Sequence, residues 1–281
     1  MNSRHRSAAI LIAGIAASTV LVAGCAPSTP EPGSEPVVID HVHAIVPRGD
    51  DVLLVGTHSG ILIADRDGNL EGPLGGNGFD SMGLTAVDDV LISSGHPGMD
   101  TPAELGVPNL GIIRSDDNGE SWTSVAFAGE EDFHVLTTRA DGRLYGIGST
   151  STAIRISDDL GATWRDAASI PAGALATVGD KLYAATPDGL QVSIDDAASF
   201  TPVKDAPVLY SLAASGDVLA GVATDGQLWR RAGDEPWTPT GAVDGTVQAI
   251  AVTPSGAIAL VDERGLLVVD ESETTVILPT R

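Results

Sequence analysis

The feature of this sequence that most constrains its fold is a repeat of about 40 residues that begins at Val37. Each copy contains short runs rich in Val, Ile and Leu, separated by Asp-Gly, Gly-Asp or Pro-Asp-Gly turns. This pattern indicates antiparallel strands joined by tight turns. Six equivalent aliphatic positions follow one another at separations of 39, 52, 39, 37 and 38 residues, and they are Ile45, Leu84, Leu136, Leu175, Leu212 and Ile250.

The regular period predicts the architecture. The residues left at the two ends of the repeat region make one more period of 39, so six units close a circle. A unit of this length has room for four strands, and we therefore predict an all-β fold, a six-bladed β-propeller of four-stranded antiparallel blades over residues 37–281. The alternative is a two-sheet sandwich, which gives no reason for a fixed period.

Charge and cysteine content exclude several functions. The chain has 38 acidic and 15 basic side chains, a formal net charge of -23, and only two lysines, Lys181 and Lys204. Nucleic acid is excluded as a partner, because a phosphate-binding surface needs clustered Lys and Arg. One cysteine excludes an internal disulfide framework and a Cys-rich zinc site. No dinucleotide fingerprint or phosphate-cradling loop is present, so we expect no nucleotide cofactor. We also expect the protein to be a monomer.

The amino terminus predicts export and lipid anchoring. Arg4 and Arg6 precede an apolar stretch over 8–23, which is too short for a membrane span but suits a secretory signal. The run Leu-Val-Ala-Gly before Cys25 resembles a bacterial lipobox, with residues 1–24 as signal peptide. An ordinary signal peptide with a coincidental cysteine is the alternative. The resemblance implies lipidation (palmitate) of Cys25, a Pro-rich tether over 25–36, and anchoring at the extracytoplasmic face of the bacterial cell membrane.

Two eight-residue segments resemble the Asp-box, or BNR repeat, of sialidases, sortilin-type receptors and other bacterial propellers. The pattern S-x-D-x-G-x-T/S-W occurs in full twice, 42 residues apart, at Ser115, Asp117, Gly119 and Trp122 and at Ser157, Asp159, Gly161 and Trp164. A degenerate third copy spans Ser193 to Phe200, with Ala197 in place of the glycine. The resemblance implies that each box joins the third and fourth strands of a blade and is structural. The HVHAI, GTHSG and SGHPG stretches further resemble bacterial surface proteins labelled glycosylhydrolases.

All histidines of the mature chain lie in the first three units, and they are His41, His43, His58, His96 and His134. They fall where first strands begin or second strands end, so we predict them on one face of the propeller, near the central channel. Two positions before the anchor aliphatics, the six units carry His43, Met82, His134, Gly173, Tyr210 and Gln248. Two residues earlier stand His41, Asp80, Asp132, Pro171, Val208 and Thr246, which alternation would place on the same strand face.

A metal site is the first hypothesis for this face. Imidazole suits copper, zinc, iron and nickel, and a thioether shifts preference toward copper, so we predict one copper or zinc ion. We expect His43, His58 and His134 as ligands, His96, His41 and Met82 as further candidates, and Asp80 and Asp132 as partners that orient the imidazoles. Alternatively, these residues are polar groups that hydrogen-bond the backbone at blade ends.

Two further hypotheses concern the same face. A glycoside hydrolase needs two carboxylates, which Asp80, Asp132, Asp100 and Glu104 could supply, with a histidine as alternative acid or base. We do not expect classical sialidase activity, because the arginines are misplaced, only Arg264 reaches this face, and no Glu stands beside Tyr210. The other hypothesis is a non-catalytic scaffold that binds a small ligand, a glycan or a surface protein.

Overall fold

The computed structural model describes residues 39–271 and 273–279, and these residues form a six-bladed β-propeller. Every blade is a four-stranded antiparallel sheet whose strands follow the chain from the inside outwards. The predicted fold is confirmed, including the number of blades. The predicted signal peptide (1–24), Cys25 and the tether (25–36) lie outside the described residues. Among the described residues, no helix is long and apolar enough to span a membrane.

The first three blades contain strands β1–β12. Blade 1 consists of β1 Val42–Arg48, β2 Val52–Thr57, β3 Gly60–Asp65 and β4 Leu70–Glu71. Blade 2 consists of β5 Asp80–Val87, β6 Val90–His96, β7 Ile112–Ser115 and β8 Thr123–Ala126. Blade 3 consists of β9 Phe133–Thr138, β10 Leu144–Gly148, β11 Ala153–Ser157 and β12 Arg165–Ser169. Two short 3-10 turns lie in connecting loops, at Leu74–Gly76 and Ala103–Leu105.

The last three blades contain strands β13–β24. Blade 4 consists of β13 Ala174–Val178, β14 Lys181–Thr186, β15 Gly189–Ser193 and β16 Thr201–Pro202. Blade 5 consists of β17 Leu209–Ser215, β18 Val218–Ala223, β19 Gln227–Ala232 and β20 Thr238–Ala242. Blade 6 consists of β21 Ala249–Val252, β22 Ile258–Asp262, β23 Gly265–Asp270 and β24 Glu273–Pro279.

The hydrophobic core lies between neighbouring blades. Second strands are covered on both faces, which is why β18 is apolar at nearly every position and buried at all of them. Phe79 and Leu91 of the second unit pack on Leu54 and Ile61 of blade 1. Each apolar blade face is shielded from water only by the neighbouring blade. A single blade therefore cannot be stable, and the ring must be complete.

Side chains close the ring between the first and last blades. Within the described residues, all four strands of blade 6 come from the carboxyl-terminal segment and none from the amino-terminal one. Val55 of blade 1 packs with Val261 of blade 6, the Val42 amide donates to Gln248 Oε1 at 2.7 Å, and the Ser255 amide donates to Asp50 Oδ1 at 2.8 Å. The interface between blades 1 and 6, which we call the blade seam, is therefore apolar packing supplemented by two hydrogen bonds.

Three turns with one hydrogen-bond pattern connect the third and fourth strands of blades 2, 3 and 4. We call them the Ser-Asp turns, and they span 115–122, 157–164 and 193–200. In the first, Ser115 Oγ accepts from the Gly119 amide at 2.7 Å, and Asp117 accepts from the Ser121 amide at 2.9 Å and from its hydroxyl at 2.6 Å. The third turn repeats these bonds within 0.2 Å although Ala197 replaces the glycine. The sequence motif thus corresponds to a self-contained turn, on the face opposite the histidines.

Candidate metal centre

The strand pairing brings the histidines to one end of the channel, which we call the top face. His43 lies in β1, and the neighbouring β2 ends at Thr57, directly before His58. Because antiparallel β1 begins where β2 ends, Val42 faces Thr57, and the two imidazoles stand side by side. In blade 2, Asp80 at the start of β5 pairs directly with His96 at the end of β6. The predicted common face of the histidines is therefore present in the structure.

β-Bulges orient the side chains of four residues toward the channel. The inner strands β1, β5, β9 and β17 each carry one extra residue near the top face, at His43, Met82, His134 and Tyr210. A bulge interrupts alternation and redirects a side chain. The bulged residues line the channel together with Gly173 and Gln248, whereas Asp80 and Asp132 do not. The expectation from alternation, that residues two positions apart share a face, fails here because the second residue of each pair is itself the bulged one.

A glycine opposite the bulge permits the close strand approach in blade 2. Gly95 faces Ser81 across the strand pair and adopts φ of 148°. A Cβ atom at this position would lie 2.0 Å from the Asp80 carbonyl oxygen, closer than real Cβ contacts approach. Gly95 therefore lets the β5 backbone come close enough to hold Asp80 beside His96.

Asp80 is the centre of the first group of donors. Its Oδ1 lies 3.3 Å from His43 Nε2 and 3.0 Å from His58 Nδ1, and these two nitrogens are 3.3 Å apart. We call His43, His58 and Asp80 the Asp80 group, and one donor atom from each lies within 4.8 Å of the others. The other carboxylate oxygen, Oδ2, lies 3.4 Å from His96 Nδ1.

Asp132 is the centre of a second group one blade further round. Its Oδ2 is in direct contact with His134 Nε2 and lies 3.8 Å from His96 Nε2. We call His96, Asp132 and His134 the Asp132 group. Since His96 contacts Asp80 through Nδ1 and Asp132 through Nε2, its ring connects the two groups.

Each of the two carboxylates has one buried oxygen that lacks a well-aligned donor. Asp80 Oδ1 and Asp132 Oδ2 are buried oxygens that accept no hydrogen bond of good geometry in the described part of the chain, although imidazole nitrogens lie near them. Burial raises the pKa of Asp80, but the imidazoles of His43 and His58 outweigh burial and lower it to about 2. Burial likewise raises the pKa of Asp132, and Ser149 with the two imidazoles holds it below its usual value. The side chains of Asp80 and Asp132 are therefore both anionic at neutral pH.

The histidines differ in how far they reach into solvent. The His43 side chain is 10% exposed, whereas those of His58, His96 and His134 are about half exposed at 51%, 42% and 52%. His41 is exposed and stacks on His58 with ring centroids 5.5 Å apart. Burial and the neighbouring imidazoles of His43 and His58 lower the pKa of His41. A nitrogen with a lowered pKa stays neutral and can act as a ligand at neutral pH.

The remaining predicted site residues lie further out. Met82 is half-buried and lines the channel, but it is not part of either group. Met99 is fully exposed in the loop after His96, and Asp100 and Glu104 are exposed on the same loop. Arg264 does reach the top face, where it forms an ion pair with the buried Asp262. Four of the arginines without a place on this face lie on third strands, Arg114, Arg155, Arg230 and Arg231, and two follow in the turn between β9 and β10 at the opposite face, Arg139 and Arg143.

The central channel is lined by one histidine of each group, His43 and His134. It has a volume of about 580 Å³ and is lined by the inner strands of all six blades. On the side away from the histidines, the Tyr210 hydroxyl accepts from the Val247 amide at 3.2 Å, and the Gln248 side chain accepts from the Val42 amide. Among the described residues, the imidazoles of the top face are therefore confined to blades 1–3.

Sequence reasoning missed a buried ion pair next to Asp132. Glu131 is 3% exposed, contacts the Arg155 guanidinium directly and accepts from the Thr150 hydroxyl at 2.7 Å. Arg155 also stacks on Phe127, with 4.6 Å from its Cζ to the ring centre. Of the five other repeats, only the first has a carboxylate at the position of Glu131, namely Asp40, and Arg155 is on a third strand, so no local sequence signal joined the two residues.

The chain is similar in fold to several solved propellers. A gluconolactonase from Xanthomonas campestris matches over 81% of this chain and 85% of its own, at 13% identity and a TM-score of 0.60. A chain of a nidogen–laminin complex matches over 81% and 92%, at 11% identity and a TM-score of 0.60. An ancestral GH74 enzyme matches over 81% of this chain but only 36% of its own, at 12% identity and a TM-score of 0.52. No protein-family model and no curated protein sequence matches the chain. At these identities the likeness shows the fold alone.

Proposed function

We propose that this propeller binds a divalent transition-metal ion through the Asp80 group at the top of its channel. The observation that carries the proposal is the convergence of three donor atoms within 4.8 Å around a carboxylate oxygen that is buried without a well-aligned donor. A cation at this point would give Asp80 Oδ1 the partner it lacks, and burying an unsatisfied carboxylate is otherwise costly.

The donor set indicates which ions fit. Two imidazoles and one carboxylate suit borderline divalent ions, whereas a thioether would favour Cu(I). The Asp80 group supplies two imidazoles and one carboxylate, so we favour Cu(II) or Zn(II) over Cu(I). Three protein ligands leave a coordination position for water or an exogenous ligand, as in catalytic rather than structural zinc sites. The exposure of His58 allows a ligand to approach from the solvent.

The carboxylates do not fit the hydrolase hypothesis well. A glycoside hydrolase keeps one carboxyl group protonated as general acid, which requires a raised pKa. Asp80 and Asp132 both have lowered pKa values, and Glu104 is exposed on a loop. The fold likeness to a GH74 enzyme therefore gains no support from the candidate acids.

The proposal places the ion outside the cytoplasm. The lipobox-like sequence before Cys25 supports a lipid anchor at the cell surface, and the Pro-rich stretch after it supports an extended tether. The eight-residue motifs further support relationship to the Asp-box propellers. We therefore propose a lipid-anchored surface protein that handles copper or zinc.

Metal uptake by the lipid-free domain tests the proposal. After purification without chelator, the wild-type domain should retain or take up Cu(II) or Zn(II), measured by elemental analysis and calorimetric titration. Exchange of His43 and His58 for Ala should abolish binding at the Asp80 group and leave the circular dichroism spectrum unchanged, because His58 is half exposed and both side chains lie outside the core between blades. Glu104→Gln is the control and should bind as the wild type does. Equal uptake by the double variant and the wild type would refute the assignment.

A further inference from the structure

The geometry points to a second cation position on the same face, centred on Asp132, whose Oδ2 contacts His134 Nε2 and lies 3.8 Å from His96 Nε2. These three donors are less closely grouped than those of the Asp80 group, so the half-exposed His134 ring would turn toward the ion. This position would take the same class of divalent ion, and His96 would lie between the two positions. The inference rests on the proposed function, since it assumes that the Asp80 group holds the first ion.

The two groups are separate in space but joined by one ring. The Asp80 group is complete without His134, which contacts Asp132 and not Asp80. A single ion at the Asp80 group therefore leaves the second carboxylate unused. Because the two nitrogens of an imidazole point away from each other, His96 can serve Asp80 through Nδ1 and Asp132 through Nε2 at the same time.

Asp132 has the environment of a ligand that lacks its ion. The side chain is only 5% exposed, and its Oδ2 accepts no well-aligned hydrogen bond among the described residues. In the described part of the chain no Lys or Arg pairs with Asp132, whereas its neighbour Glu131 is paired with Arg155. Buried charges are normally paired or coordinate a metal.

Asp132 is also held in place firmly enough to act as a ligand. Its amide lies 3.4 Å from the Ser149 hydroxyl, and its carbonyl accepts from the Ser149 amide at 2.8 Å. The Phe133 amide donates to Ser94 Oγ at 2.7 Å, which fixes the start of β9 against blade 2. His134 next to it is half exposed and is the bulged residue of β9, so its ring can adjust to an ion without disturbing the core.

The stoichiometry of metal binding tests whether the top face has one cation position or two. The wild-type domain should bind two Zn(II) ions per chain in calorimetric titration and elemental analysis after gel filtration. Exchange of His134 for Ala should remove one equivalent and keep the other, and the His43 and His58 double variant should keep the ion that His134→Ala loses. His96→Ala should weaken both sites, by roughly 10-fold or more for a lost or misoriented ligand. Glu104→Gln serves as the control with two ions.

The possible outcomes separate the two proposals. One ion per wild-type chain, unchanged in His134→Ala and in Asp132→Asn, would overturn the second position and leave the first intact. No ion in the wild type would overturn both. If Asp132→Asn is less stable because its side chain is buried, the exposed His134→Ala carries the test alone. Loss of both ions in His134→Ala, with the fold unchanged, would also overturn the inference, since it would mean a single combined centre.

Discussion

At the scale of single residues, the sequence indicated which side chains meet but not how. The ring of six channel residues could be predicted because the repeat sets their positions. The alternation rule then misplaced Asp80 and Asp132, since the bulges at Met82 and His134 shift the strand by one residue. Bulges depend on backbone contacts across the blade, such as the close approach at Gly95, and no local signal in the sequence shows them. The carboxylates thus proved to be direct neighbours of the imidazole nitrogens.

The buried pair Glu131–Arg155 yields a prediction about stability. Exchange of Arg155 for Leu should lower the free energy of unfolding by about 3–5 kcal/mol, because Glu131 would remain as a buried unpaired charge. Urea denaturation followed by circular dichroism measures this loss.

The double exchange supplies the control for this prediction. Adding Glu131→Gln to Arg155→Leu should restore part of the lost stability, because the buried charge is then gone. A double variant that is as unstable as the sum of the single losses would show that the Arg155 stacking on Phe127, and not the charge pair, matters most.

At the scale of elements, the Ser-Asp turns explain why one copy can lose its glycine. Gly119 has φ of 91°, and a Cβ atom there would lie 2.3 Å from Leu74 Cδ2. Ala197 takes φ of 59° with its methyl group buried among apolar neighbours, so the third turn has space where the first has Leu74. The motif in the sequence therefore predicted the turn, whereas tolerance of the missing glycine depends on packing from another loop.

The turn carboxylates predict how stability depends on pH. Hydrogen bonds from Ser121 and Ser199 lower the pKa values of Asp117 and Asp195 to about 2, from an ordinary value of 3.8. A carboxylate with a lowered pKa stabilises the fold fully above its unfolded pKa, and the contribution is lost as the pH falls toward the folded pKa. Stability from these turns should therefore decline between about pH 4 and pH 2.

A single substitution isolates this effect. Asp117→Asn should be less stable than the wild type at pH 6, and the difference should shrink as the pH falls from 4 to 2, in urea denaturation at each pH. The exposed Asp188→Asn is the control and should follow the wild-type profile. A difference between Asp117→Asn and the wild type that stays constant across this range would contradict the assigned role of Asp117.

At the scale of the whole molecule, the repeat determined the number of blades and the uneven distribution of histidines. It did not determine how the circle closes, because a period counts residues and not strand partners. Closure depends on particular contacts between blades 1 and 6, including the bond from Val42 to Gln248. Gln248 stood in the predicted channel ring without an evident role, and the structure gives it one in joining the two ends.

The predicted anchor is tested on the full chain. Expressed in a bacterium that lipidates exported proteins, the wild type should fractionate with membranes and incorporate labelled palmitate. Cys25→Ser should incorporate none and should be recovered in the soluble extracytoplasmic fraction, because the only cysteine is lost. Equal palmitate labelling of both proteins would contradict lipidation at Cys25.

The bulges on the inner strands have a consequence for how such a protein can change over evolutionary time. A bulged residue takes no part in the regular strand ladder, and its side chain points into the channel instead of between blades. Substitution there alters the chemistry of the opening while the surfaces that hold the blades together stay the same. At the bulged positions, the two requirements on the sequence, to fold and to bind, are therefore separated. A propeller built in this way can change a channel-lining side chain in one blade while the packing between blades stays the same.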